Sequence, residues 1–313
     1  MPEAPAPGQG ERTLERTYVE AAVLGGPRSA HPFARSLSDV AAGPADRIYA
    51  LGDGQVRVFD PKGTLLRGWT VGDEAECLAV DGSGRVLVAG GERLSIFGAD
   101  GSRTGGFVAG EPGRPARITA VAAFGAEILV ADADARIVRR VDASGRSLGV
   151  IGARSKTGGF MLPNKSLDLA VGPKGVVYAT DSGRHQVTAW SLDGSPVGRF
   201  GRFGMQRPED FVGCCNPVNL ALAPDGHIVT AEKAVARVKV YRADGSLVAL
   251  IGPEHFDPLS VHIPVAVDSA GRILAADLKR RQITVFAPAA GSAAPGGGTG
   301  DPPQPVTREF ERP

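Results

Sequence analysis

The chain of 313 residues carries a net charge of +1, with 42% hydrophobic and 22% charged residues, so it holds either two average domains or one large all-β domain. A charge this close to neutral excludes a broad electrostatic nucleic-acid surface, which needs a basic excess on one face, and no apolar run approaches the roughly 18 residues of a membrane span. Three cysteines, Cys77, Cys214 and Cys215, do not make a disulfide framework, while 43 glycines and 24 prolines between short apolar runs point to a turn-rich all-β fold.

In chain order, Met1 to Arg16 is rich in Pro, Gly and charge and lacks the apolar centre of a signal peptide. The expectation is a cytoplasmic protein or one whose leader is missing from this chain. Residues 1–13 and 289–313 carry too little to bury and are expected to be disordered; a docking motif around Phe310 is the alternative for the tail. Residues 14–288 are then the folded domain. It opens with a lone strand in TYVEAAVLGG, from Thr17.

Six near-repeats follow. Each has an apolar strand: IYAL from Ile48, VLVA from Val86, ILVA from Ile128, VYAT from Val177, IVTA from Ile228 and ILAA from Ile273. Four of these run into an acid (Asp132, Asp181, Glu232, Asp277) and two into Gly52 and Gly90. A second strand comes next: QVRVF from Gln55, RLSIF from Arg93, RIVRR from Arg136, QVTAW from Gln186, RVKVY from Arg237 and QITVF from Gln282. Five of these end in an aromatic (Phe59, Phe97, Trp190, Tyr241, Phe286), all expected to be buried between neighbours; the third has Arg140 there. Arg140 is expected to reach solvent or pair with an acid such as Asp142. Turn glycines at 63, 101, 145, 194 and 245 follow, at the period of about 40–50 residues expected of four-stranded propeller blades. The last unit stops after three strands, so the N-terminal strand, with Val23-Leu24-Gly25 resembling Val150-Ile151-Gly152, is expected to complete it and leave no open edge. The fold class read here is an all-β, six-bladed propeller.

DSGRHQVTAWSLDG, from Asp181 to Gly194, resembles the NHL repeat, and the resemblance extends over about residues 17–288. GCCNPVNLALAPDGHIVTAEKAVARVKVY, from Gly213 to Tyr241, is similar to a bacterial NHL subgroup with no assigned activity, whose members often carry an export or lipoprotein leader. That resemblance implies an extracytoplasmic location in the periplasm or cell envelope.

Candidate chemistry lies in three places. Long connections at 153–168, 202–219 and 253–264 are expected on one face, where loops on a rigid scaffold carry function. They bring Arg154, Lys156, Asn164, Lys165, Arg202, Arg207, Cys214, Cys215, Asn216, His255 and His262, a basic and amide-rich set suited to an anionic or polar partner; ordinary solvated loops are the alternative. Alignment of the first strands puts Asp39, Cys77, Ala120, Asp168, Asn219 and Pro264 on one rung. By similarity to gluconolactonase-like propellers, Asp39, Asp168 and Asn219 could offer oxygen ligands to a divalent ion such as Ca²⁺. The recurring acids are better read as turn caps, with the Arg or Gln of the next strand as partner. The adjacent Cys214 and Cys215 are read as packed reduced thiols, a vicinal disulfide of the kind propeller quinoproteins contain, or part of a soft-metal site completed by His255 and His262. No G-x-S-x-G, HExxH or P-loop is present. The leading expectation is a monomeric, non-enzymatic binding scaffold for a protein or a small polar ligand, with no cofactor. The alternatives are a metal-dependent hydrolase or lyase using the channel, and a redox accessory protein acting through the cysteine pair.

Overall fold

Branched and aromatic residues alternate with small or polar ones along each repeat, the composition that suits a pleated, half-buried surface, and they fold into strands throughout. The computed structural model describes residues 14–153 and 158–290. Six four-stranded antiparallel sheets form the blades of a propeller. Their strands are Leu37–Gly43, Arg47–Gly52, Gln55–Phe59 and Leu65–Thr70 in blade 1, and Cys77–Val80, Val86–Gly90, Arg93–Phe97 and Arg103–Val108 in blade 2. Blade 3 has Ile118–Phe124, Glu127–Asp132, Ile137–Val141 and Ser147–Ile151, and blade 4 has Leu169–Val171, Val177–Asp181, Gln186–Trp190 and Pro196–Phe200. Blade 5 has Asn219–Leu222, Ile228–Glu232, Arg237–Tyr241 and Leu247–Ile251. Blade 6 takes Val265–Val267, Ile273–Asp277 and Gln282–Pro288 from the C-terminal end and its outer strand, Tyr18–Leu24, from the N-terminal end. The expected closure is therefore present, with Tyr18 opposite Pro288 and Leu24 opposite Ile283. One small hairpin, Gly110–Glu111 with Arg114–Pro115, lies outside the blades and has no signal in the repeat pattern.

The five aromatics Phe59, Phe97, Trp190, Tyr241 and Phe286 are buried as expected. In all the complete blades the third and fourth strands shift register beside this position, at Phe59, Phe97, Val141, Trp190 and Tyr241. That shift corrects the alignment of blade 3. Its aromatic position is held by buried Val141, opposite Ile128, and not by Arg140. The turn before the strand has four residues, as in blades 4 to 6, and Arg136 is its last, at a left-handed φ of 58°, so the strand starts at Ile137, one residue later than an alignment on Arg136 places it. Arg140 pairs with Glu127 on the adjacent strand, its Nη2 and Nε at 2.8 and 2.9 Å from the carboxylate oxygens, and donates to Leu192 O at 2.6 Å. Asp142, the expected partner, instead caps its own turn through Ser144 and Arg146.

The turn glycines Gly63, Gly101, Gly145, Gly194 and Gly245 all have φ between 84° and 90°, where a Cβ is strongly disfavoured. The expectations for residues 1–13 and for the tail fall outside the described residues, except that Ala289 N–H still donates to Thr17 O at 2.8 Å. Arg154 and Lys156 also lie outside them. No helix among the described residues is long and apolar enough to cross a membrane.

Candidate functional site

The first strands of the six blades line a central channel enclosing about 580 Å³. The expected rung is real. Asp39, Cys77, Ala120 and Asn219 stand opposite Leu51, Ala89, Ala131 and Ala231, and the carbonyls of Asp168 and Pro264 accept the N–H of Thr180 and Ala276 at the same level. Its polar members reach across to the next blade. Asp39 accepts Leu78 N–H at 2.8 Å, Asp168 accepts Leu220 N–H at 2.9 Å and Asn219 Nδ2 at 3.1 Å, and Asn219 Oδ1 accepts Ile263 N–H at 3.1 Å. Thr119 joins blades 3 and 4 likewise, donating to Leu167 O at 2.7 Å and accepting Leu167 N–H at 3.2 Å. Removal from water pushes Asp39 up to about 8 and Asp168 up to about 6, against the opposing pull of these N–H donors. Burial, together with those two acids, also raises the Cys77 thiol. Among the described residues no group of three or more His, Cys, Asp or Glu could hold a metal ion.

Because strands alternate in direction within each blade, the connections between blades and the turns between second and third strands open on one common face. Four long connections follow one another there, not three: residues 25–36 join 152–168, 201–218 and 252–264. Each drives a phenylalanine inward: Phe33, Phe160, Phe211 and Phe256 are all buried. Three of them pack on the aromatic of the blade they enter, Phe160 on Trp190 at 5.8 Å, Phe211 on Tyr241 at 5.8 Å and Phe256 on Phe286 at 6.0 Å between centroids. Gly25, Gly152 and Gly201 leave the space, since a Cβ there would come within 2.4 Å of the ring. A glycine followed eight residues later by phenylalanine, in Gly25/Phe33 and Gly152/Phe160, is a sequence signal that the repeat reading missed.

The recurring acids cap turns as expected and also pin these loops. Asp132 accepts Ala135 N–H from its own turn and Arg117 N–H from the incoming connection. Asp181 accepts Met161 N–H, Glu232 accepts Val212 N–H and Asp277 accepts Asp257 N–H, at 2.7–2.9 Å. In blade 1, where the repeat has Gly52, Asp53 does the same for Ala34, Arg35 and Ser36. Among the described residues, Glu232 takes the Arg that starts the next strand, Arg237 at 2.9 Å, whereas Asp132 pairs with Arg139 inside that strand.

The GCCNP, TAEK and RVKVY segments converge on one unit. Fully buried Glu232 and Lys239 pair at 2.6 Å, and Lys239 Nζ also donates to Asp210 O at 2.7 Å. Burial pulls Lys239 down to about 8, against the pull of Glu232. Tyr241 OH donates to Glu209 O and Arg237 to Asp210 O. Buried Asn216 bridges the cysteine turn to the adjacent one, its Nδ2 donating to Lys233 O and its Oδ1 accepting Lys233 N–H, both at 2.9 Å. His185 Nε2 lies 2.9 Å from Gly213 O. The result is a rigid turn with Cys214 exposed, Cys215 buried and their sulfurs 2.8 Å apart. Lys233 opposes the upward shift of the Cys215 thiol, and burial, with a smaller contribution from Lys233, lowers His262.

The candidate residues thus divide. Asn164, Lys165 and His262 line the channel together with Asp39, Asp168 and Asn219, and buried Asn164 Nδ2 has no hydrogen-bond partner among the described residues. Arg207 turns away to Glu209. His255 contacts Glu20 of the closing strand at 2.6 Å and packs edge-on against Phe286, far from the soft-metal role considered for it. The sequence reading missed Arg117, which also lines the channel, and a set of exposed apolar side chains. Met161, Phe203, Met205, Val235, Leu259 and Val261 are exposed on the neighbouring loops and turn of blades 4 to 6, Met205 at 79% and Leu259 at 72%.

This architecture defines the class as a six-bladed β-propeller. No family model matches the chain. Among solved structures it is similar to the WD40 β-propeller domain of Doa1, at 16% identity over 82% of this chain and 81% of that one, TM-score 0.58. It is also similar to a chain of the mitotic checkpoint complex, at 12% identity over 92% and 96%, TM-score 0.57, and to streptogramin B lyase, at 11% identity over 81% and 93%, TM-score 0.55. At these identities the likeness is one of fold.

Proposed function

We propose that the chain is an NHL-type propeller serving as a non-enzymatic, monomeric binding scaffold, which engages a protein partner with its loop face. The observation that carries this reading is the exposure of Met161, Phe203, Met205, Val235, Leu259 and Val261 on connections and a turn of one face, which buried acids and phenylalanines hold in place. Large apolar side chains left exposed together on one loop face point to an interaction surface, whereas single ones scattered along outer strands need no such reading. Lys165, Lys233 and Lys279 lie on connections and turns of the same face, which favours an acidic segment with apolar anchors. The channel carboxylates Asp39 and Asp168 are engaged with backbone N–H groups, which supports a binding role over metal-assisted hydrolysis.

Peptides selected from a random library on the native protein test this. The expected winners combine Asp or Glu with aromatic or aliphatic anchors, and they lose binding to a Phe203→Ser/Leu259→Ser variant whose melting is unchanged. Peptides that bind this variant as well as the native chain would overturn the reading.

A further inference from the structure

We propose that Cys214 and Cys215 are a reversible two-electron thiol–disulfide couple, oxidised by small-molecule disulfides at the loop face. Adjacent side chains on extended backbone point to opposite sides. Here Cys215 has a φ of 63°, a left-handed conformation uncommon outside glycine, and the two Sγ atoms lie 2.8 Å apart. The turn cannot relax freely, because Val212 N–H is held by Glu232, Gly213 O by His185 and Asn216 by Lys233. The two thiols also differ in access: Cys214 is exposed and Cys215 is buried. This is the arrangement of an attacking thiol and a resolving thiol.

The electrostatics suit that division. Burial raises the Cys215 thiol, its hydrogen bond and charge interaction with Cys214 raise it further, and Lys233 opposes them. Cys214 as thiolate attacks one sulfur of an external disulfide; the S–S bond breaks, and one external thiolate leaves and takes up a proton. Once Cys214 is in the mixed disulfide, two of the influences holding Cys215 protonated are gone, while Lys233 remains. Cys215 then loses its proton and attacks Cys214 Sγ, and the second external thiolate leaves with a proton. In total the two protein thiols lose two electrons and two protons, and the external disulfide becomes two thiols. Thiol–disulfide exchange proceeds through such a mixed disulfide and depends on the access of the attacking sulfur. Cys77, a free cysteine buried in the channel wall, is an internal control. The couple does not depend on what the loop face binds.

The test is to incubate the full native chain with oxidised glutathione, alkylate it and map its peptides by mass spectrometry. The peptide holding Cys214 and Cys215 is expected to lose two hydrogens and to carry no glutathione, and dithiothreitol should restore both thiols. Cys77 should stay unmodified. Cys215→Ser is expected to trap one glutathione on Cys214, and Cys214→Ser to react at least ten times more slowly than Cys215→Ser, on the order expected for a buried thiol. A glutathione adduct that persists on Cys214 of the native chain would overturn the proposal, as would a native chain left with two free thiols. Both readings come from the native protein, so they stand even if a variant fails to fold.

Discussion

Asp39 and Asp168 show how a carboxylate can stitch a propeller and make it sensitive to pH. Asp39 accepts N–H groups of Val40 and Leu78, yet the channel wall and the charge of Asp168 raise it from 3.8 to about 8. The folded state therefore holds a proton that the unfolded chain releases. Between those values the folded form binds more protons, so stability falls as pH rises through this window. The contribution is fully present below about 3.8 and lost above about 8; for Asp168 the window closes at about 6. In a series of thermal midpoints across this range, Asp39→Asn should show a shallower decline than the native protein. Equal slopes would mean that Asp39 ionises in the folded state as it does in water. Lys239 makes the complementary point: its charge is enclosed with Glu232 and Asp210 O, where it shapes the cysteine turn instead of meeting solvent.

At the level of elements, the long connections behave as part of the scaffold. Phe211 seals its loop against Tyr241 and under Gly201, while Phe97 fills the core between blades 1 and 2. Truncating either to Ala should cost on the order of 3–5 kcal/mol, as for other core phenylalanines, measured by denaturant unfolding. The two should differ at the surface: Phe211→Ala should speed alkylation of Cys214 in the native state, and Phe97→Ala should not. Equal alkylation rates in both variants would show that the Glu232, Asn216 and His185 contacts hold the turn without the ring.

Across the whole molecule, closure depends on a strand from the far end of the chain. Tyr18–Leu24 completes blade 6, and Arg16 ties the same segment to blade 5 through Asp225 at 2.9 Å, with both side chains buried. Deleting residues 1–25 should expose an unpaired edge on Gln282–Pro288 and cause aggregation or loss of a cooperative melt. Deleting residues 1–13 should leave melting unchanged. A cooperative, native-like melt after the longer deletion would show that the blades hold the ring without this strand.

How much of this was legible in the sequence follows from which interactions are local. Strand order, the closing strand, the buried aromatics and the channel rung all came from the repeat, because alternation and turn glycines act within a few residues and recur in each blade. Blade 3 misled by one residue because the last residue of its turn, Arg136, resembles the strand-initial Arg of its neighbours. The partner of Arg140 was hidden for the same reason. The site was only partly legible. The Cys214–Cys215 pair and its TAEK and RVKVY companions stood out as departures from the repeat, but the sequence did not show that Glu232, Lys239 and Tyr241 reach across to hold the cysteine loop. The exposure of Phe203, Met205, Leu259 and Val261 was equally hidden, since it depends on what the remaining loops cover. The sequence by itself determined the blades and the ring, which follow from local periodicity; only the tertiary structure decided which loop residues face solvent, which face the channel and which bind the scaffold, because those assignments depend on contacts between residues of different blades.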